Sequence, residues 1–109
     1  MYLFTIRSKI KPKSEAARRL PDVAGAYVNA WIQFKDYDAA EKLARLLIRE
    51  RGWIPEETTD ASIIQKKGLK KKRDKQFYAE AIKYGYTLVF NMWLKDAADA
   101  GINYEAQAK

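Results

Sequence analysis

An α+β domain two layers thick is the fold class this sequence predicts, and three observations predict it. Apolar residues alternate with other residues in the stretches 2–8, 26–34 and 86–93, which is the period of a strand. They recur at helical spacing in 38–51 and 75–84. A glycine closes each of those helical stretches, at Gly52 and Gly85, and an aromatic residue follows each time. The element order is β-β-α-β-α-β. It gives about four strands in a mainly antiparallel or mixed sheet, with two helices on one face.

The first strand covers 2–8, with Tyr2, Phe4 and Ile6 on one side and Leu3, Thr5 and Arg7 on the other. Residues 9–25 are basic and interrupted by Pro12 and Pro21, and Ser14-Glu15 starts a short helical segment that Pro21 stops. In the second strand, 26–34, the apolar face is Val28, Ala30, Ile32 and Phe34. The opposite face carries Tyr27, Asn29, Trp31 and Gln33. The first long helix, 38–51, is capped by Asp38 with Glu41 three positions on, and Ala40, Leu43, Ala44, Leu47 and Ile48 form its apolar stripe. Residues 53–64 form an irregular edge strand, because Pro55 cannot donate to a ladder and Glu56, Glu57 and Asp60 suit an exposed edge. The Lys-rich segment 65–73 around Gly68 reads as a loop. Asp74 caps the second helix, whose buried side is Phe77, Tyr78, Ala81 and Tyr84. The last strand, 86–93, points Tyr86, Leu88, Phe90 and Met92 inward and Thr87, Val89, Asn91 and Trp93 outward.

This order of elements resembles the ferredoxin-like sandwiches. The resemblance lies in element order alone and departs from the strict βαββαβ sequence at its start. It implies a four-stranded sheet with both helices on the same side.

The chain is expected to be a single domain, 1–109, with a compact core over about 1–94 and a polar C-terminal tail over 95–109, where one helical turn precedes Gly101. With 48% hydrophobic residues and 14 aromatics there is enough apolar material for a core. No apolar run approaches the ~20 residues that span a bilayer. The run from Tyr2 to Ile6 is too short for a signal-peptide core, so the expected location is cytoplasmic and no membrane partner is expected.

Cysteine and histidine are both missing. Disulfides and thiolate metal sites are therefore excluded, and the commonest general base and metal ligand are absent. No catalytic residue, metal site or cofactor is nominated. Asp36-Tyr37-Asp38 reads as helix capping rather than a metal fragment. Glu56, Glu57 and Asp60 are the only paired carboxylates of interest, and edge protection explains them. Tyr78 and Tyr84 beside Lys83 have the spacing of a helix core next to a helix surface. The five glycines lie too far apart for a phosphate-binding loop.

Two features remain. The net charge of +7 is concentrated in Lys66, Lys67, Lys70, Lys71, Lys72, Arg73 and Lys75, a candidate site for a polyanion. The second is the sheet face carrying Arg7, Tyr27, Asn29, Trp31, Gln33, Asn91 and Trp93, which two helices on the opposite side leave uncovered. Three accounts of that face compete: an alternation slipped by one residue, a cover supplied by a second copy or by 9–24, and an open surface on which bases stack. No aromatic RNP-type signature supports the last directly. The leading expectation is a non-enzymatic interaction module that self-associates through this face as a homo-oligomer. The alternative is single-stranded RNA or DNA binding through the Lys66–Lys75 segment with Trp31 and Trp93; an acidic protein is a further partner for the lysines. A carboxylate- or Lys/Tyr-based enzyme is the third reading.

Overall fold

The computed structural model describes residues 1–95 in full and residues 103–108 as backbone. Its elements are β1 (Tyr2–Ile10), α1 (Glu15–Arg19), β2 (Val23–Ile32), α2 (Tyr37–Glu50), β3 (Trp53–Ile63), a 3-10 turn (Lys66–Gly68), α3 (Lys72–Tyr84), β4 (Tyr86–Leu94) and β5 (Asn103–Ala108). The strands form one sheet in the order β3-β1-β2-β4-β5, and every neighbouring pair is antiparallel. The domain is thus α+β, with four antiparallel strands as expected and a fifth on the β4 edge. That fifth strand falls within the expected polar tail. The helical turn expected before Gly101 lies outside the described residues.

Period-two alternation puts the even-numbered residues of the central strands on one face. Phe4 and Ile6 of β1, Val28, Ala30 and Ile32 of β2, and Leu88, Phe90 and Met92 of β4 are all buried there. α2 lies on that face with Ala40, Ala44, Leu47 and Ile48. Burying each of its larger apolar side chains is worth roughly 1.5–3 kcal/mol. Trp53 joins the same core from β3, with its ring 5.2 Å from that of Phe90.

The two-helix face does not form. α3 packs on the opposite side, where Phe77 and Ala81 meet Trp31 and Val89, with Leu3, Ile64, Leu69 and Tyr78 partly buried around them. The physical reason is on the strands: β1, β2 and β4 carry apolar residues on both faces at this end, so both faces need a cover. The order β3-β1-β2-β4 with one long helix on each side differs from the ferredoxin-like arrangement, in which the helices share a face.

Element ends moved for local reasons. α2 is capped by Asp36, whose carboxylate accepts the Ala39 N–H at 2.8 Å, and not by Asp38. Glu41 makes no capping box. Its carboxylate accepts from the Thr58 hydroxyl, and Arg45 donates to Thr58 Oγ1 and the Glu56 carbonyl, tying α2 to the edge strand. Gly52 and Gly85 have φ of 82° and 90°, so both helix-closing glycines take the left-handed conformation expected of them. α3 starts at Lys72, with Lys71 at the N-cap, three residues before the expected start at Lys75. Tyr84, expected in its buried side, is 53% exposed. β2 ends at Ile32, so Gln33 and Phe34 lie beyond the sheet and both are exposed.

Candidate nucleic-acid interface

The odd-numbered face of the sheet divides into a covered half and an open half. In the covered half β1, β2 and β4 align Leu3 with Trp31 and Trp31 with Thr87. α3 lies over these residues, and the buried Thr87 hydroxyl donates to the Phe77 carbonyl at 3.0 Å. Trp31 is 4% exposed, with its ring 6.1 Å from Phe77. Trp31 is therefore a core residue and cannot stack with a ligand as the sequence suggested.

In the open half, register aligns Thr5 with Asn29, Arg7 with Tyr27, Tyr27 with Asn91, and Gly25 with Trp93. Trp93 is the centre of this group. The Tyr27 ring lies 5.2 Å from it, and the Arg7 guanidinium sits 5.7 Å from its centroid in cation–π geometry. Gly25 leaves room for the indole, since a Cβ there would come within 2.4 Å of Trp93 Cζ2. Tyr27 is 41% exposed and Trp93 is half-buried. Thr5 Oγ1 donates to Asn29 Oδ1 at 3.0 Å, and Asn91 Nδ2 reaches the Tyr27 carbonyl at 3.5 Å. Of the seven residues nominated for this face, Arg7, Tyr27, Asn29, Asn91 and Trp93 stay together. Trp31 is covered and Gln33 falls outside the strand.

Part of the basic segment reaches the border of this half at Asn29. Lys66 and Lys67 form the 3-10 turn, Lys70 and Lys71 follow it, and Lys72, Arg73 and Lys75 lie in the first turn of α3. All seven are exposed. A cavity of about 200 Å³ lies where the helix start meets the sheet. Asn29, Trp31 and Val89 line it from below, and Lys71, Arg73, Asp74 and Phe77 line it from the helix. The Arg73 guanidinium lies 5.5 Å from the Phe77 ring centroid. Sequence reading nominated Asn29, Lys71 and Arg73 separately and missed Asp74, Val89 and Phe77 as neighbours of both. The missed signal was that Trp31 and Val89 are apolar on the face assigned to solvent.

The other chemical candidates lie elsewhere. Glu56, Glu57 and Asp60 are exposed along β3 and do not line this cavity. Lys83 Nζ sits 5.2 Å from the exposed Tyr84 ring, while Tyr78 packs against the α3 core. A larger cleft of about 780 Å³ opens between the β1–β2 connection and the C-terminal end of α2, floored by Trp53, Phe90 and Met92. Among the described residues, no group of three or more carboxylates has the spacing of a metal site, and no helix is long and apolar enough to cross a membrane. No family model matches the chain, and neither a curated protein nor a solved structure is significantly similar to it.

Proposed function

We propose that this chain is a binding module for single-stranded nucleic acid. The strand would lie across the open half of the odd-numbered sheet face, with bases on Trp93 and Tyr27 and phosphates against the start of α3. One observation carries the reading: Lys71 and Arg73 of the basic segment line a cavity together with Asn29, which shares the open half of the sheet face with Tyr27 and Trp93. Aromatic side chains accept any base by stacking, and neighbouring lysines track the backbone without reading sequence. Arg7 adds a guanidinium plane beside Trp93, and such planes also stack on bases.

Titration of intrinsic fluorescence with mixed-sequence single-stranded RNA tests the reading, because Trp93 is the half-buried tryptophan while Trp31 and Trp53 are buried. Quenching is expected, and log K should fall by ~0.7 per phosphate neutralised for each decade of salt. Trp93→Ala should cost roughly 1–3 kcal/mol of binding, the range for a stacked base. Joint reversal of Lys70, Lys71 and Lys72 to Glu should weaken all sequences alike. Unchanged affinity after that reversal overturns the clamp. Self-association through the same face has only the uncovered half to use. A dimer by light scattering, with no RNA-dependent quenching, would put a second copy of the chain where nucleic acid is proposed.

A further inference from the structure

Where α2 ends, the even-numbered face of the sheet opens into the cleft of about 780 Å³. Its floor is Trp53, Phe90 and Met92, and its walls are the β1–β2 connection and residues 49–52. The volume is that of a small-molecule pocket, roughly 300–1,000 Å³. The two walls are built against each other. The Lys11 N–H donates to the Gly52 carbonyl at 3.0 Å, and a Cβ on Gly52 would meet the Ser14 Cβ at 3.1 Å. Charge around the cleft is unequal, with five basic and two acidic residues lining it. Arg19 is paired with Glu15 at 2.6 Å, and the Arg51 guanidinium donates to the Tyr86 hydroxyl at 2.8 Å. Lys11, Lys13 and Arg49 remain, all exposed and without an ion pair among the described residues, against Glu50. α2 brings its C-terminal end here, which disfavours an anion. The Arg51 and Gly52 N–H groups offset this by taking up the Ile48 and Arg49 carbonyls. Lys13 is an independent sign. The turn from Lys11 to Ser14 is closed by the Ser14 N–H on the Lys11 carbonyl at 3.2 Å, and Lys13 has φ 65°, the single positive value outside glycine among the described residues. That place in a turn, directly after proline, favours glycine. A lysine kept there is backbone strain held in the wall of a cleft, where strain commonly serves a ligand.

We infer that this cleft binds a small organic carboxylate with a flat apolar body. The body lies on the floor, where the Trp53 and Phe90 rings are 5.2 Å apart and give an aromatic surface. The carboxylate meets Arg49, whose guanidinium matches its two oxygens, with Lys11 and Lys13 adding charge. A bare inorganic anion gains nothing from the floor, and a neutral apolar molecule gains nothing from the cations, so the cleft selects for both halves of the ligand. This site lies on the opposite side of the sheet from Trp93 and does not depend on the nucleic-acid reading.

Carbon–proton NMR of the methionine methyl groups tests this. The chain has two methionines, and Met92→Leu tells their signals apart. Met92 lines the cleft, while Met1 packs with the α3 core on the other face. Naphthalene-2-carboxylate, added at constant ionic strength, should shift the Met92 methyl signal along one saturating curve and leave Met1 unmoved. Naphthalene-2-methanol, the same body without the charge, should bind about tenfold more weakly. Acetate, the charge without the body, should move neither signal. Arg49→Gln should weaken the carboxylate about fivefold and leave the alcohol unchanged. Lys13→Gly relieves the turn, so it should raise the unfolding temperature while weakening the carboxylate about threefold. A purely structural Lys13 would move stability alone. Equal affinity for the carboxylate and the alcohol overturns the inference, and so does a Met92 signal that neither compound moves. Carboxylate binding unchanged in both Arg49→Gln and Lys13→Gly overturns it as well. None of these readouts involves RNA, so such a failure leaves the nucleic-acid reading standing.

Discussion

Gly25 shows how much one residue can decide. A methyl group there would meet Trp93 Cζ2 at 2.4 Å and the Ser8 carbonyl oxygen at 2.9 Å. The indole can swing aside, but the carbonyl belongs to the paired strand β1 and cannot move alone. Gly25→Ala should therefore destabilise by ~1–3 kcal/mol in urea unfolding, the range for an overpacked site. It should also disturb the Trp93 fluorescence, and adding Trp93→Ala should recover only part of the loss. Thr87 makes the complementary point, because its hydroxyl bond to the Phe77 carbonyl is the buried polar link between β4 and α3. Thr87→Val keeps the shape and removes the bond, so a loss of ~0.5–1.5 kcal/mol is expected by the same measurement. The outward direction of Trp93 and Thr87 was legible from alternation. Their partners were not, since Gly25 and Phe77 meet them only through the register of β2 with β4 and the seat of α3.

At the scale of elements, the two long helices teach opposite lessons about caps. Asp36 accepts the Ala39 N–H, and Asp36→Ala should cost ~0.5–2 kcal/mol of stability in thermal or chemical unfolding. α3 begins on a lysine with no cap, so Lys71→Asp should gain on the order of 1 kcal/mol while weakening RNA binding. If both stability and affinity rose, the assignment of Lys71 to the interface would be wrong. This also explains why the start of α3 was misread. Asp74 is the stronger capping residue in isolation, and nothing local says that the chain turns helical three residues earlier. The apolar stripe of α3 was legible through Phe77 and Ala81. Which sheet face it covers was not, because a helix's own pattern gives a direction for burial and no address. The address was written on the strands, where Trp31 and Val89 made the supposed outer face partly apolar.

For the whole molecule, strand existence was largely readable and strand order was not. Alternation identified β1, β2 and β4, and Pro55 with its acidic neighbours identified β3 as an edge, where it pairs only with β1. Order depends on pairings between distant segments, such as Tyr2 with Ile63, and no local period encodes them. The meeting of Lys71 and Arg73 with Asn29 belongs to the same class of information. It exists only once α3 has crossed the sheet.

The strand order β3-β1-β2-β4-β5 also has a temporal side. In chain order the first two of these strands pair with each other, and each later strand joins an outer edge. The β1–β2 pair is thus a ribbon with one apolar face, a second face apolar only around Leu3 and Trp31, and both edges open, a template onto which the later strands are laid. Pulse-labelled hydrogen exchange during refolding should find protection first in the amides shared by β1 and β2, then in β3 and β4, and last in β5. Earlier protection at the C-terminal edge would mean that assembly does not run from the centre outward.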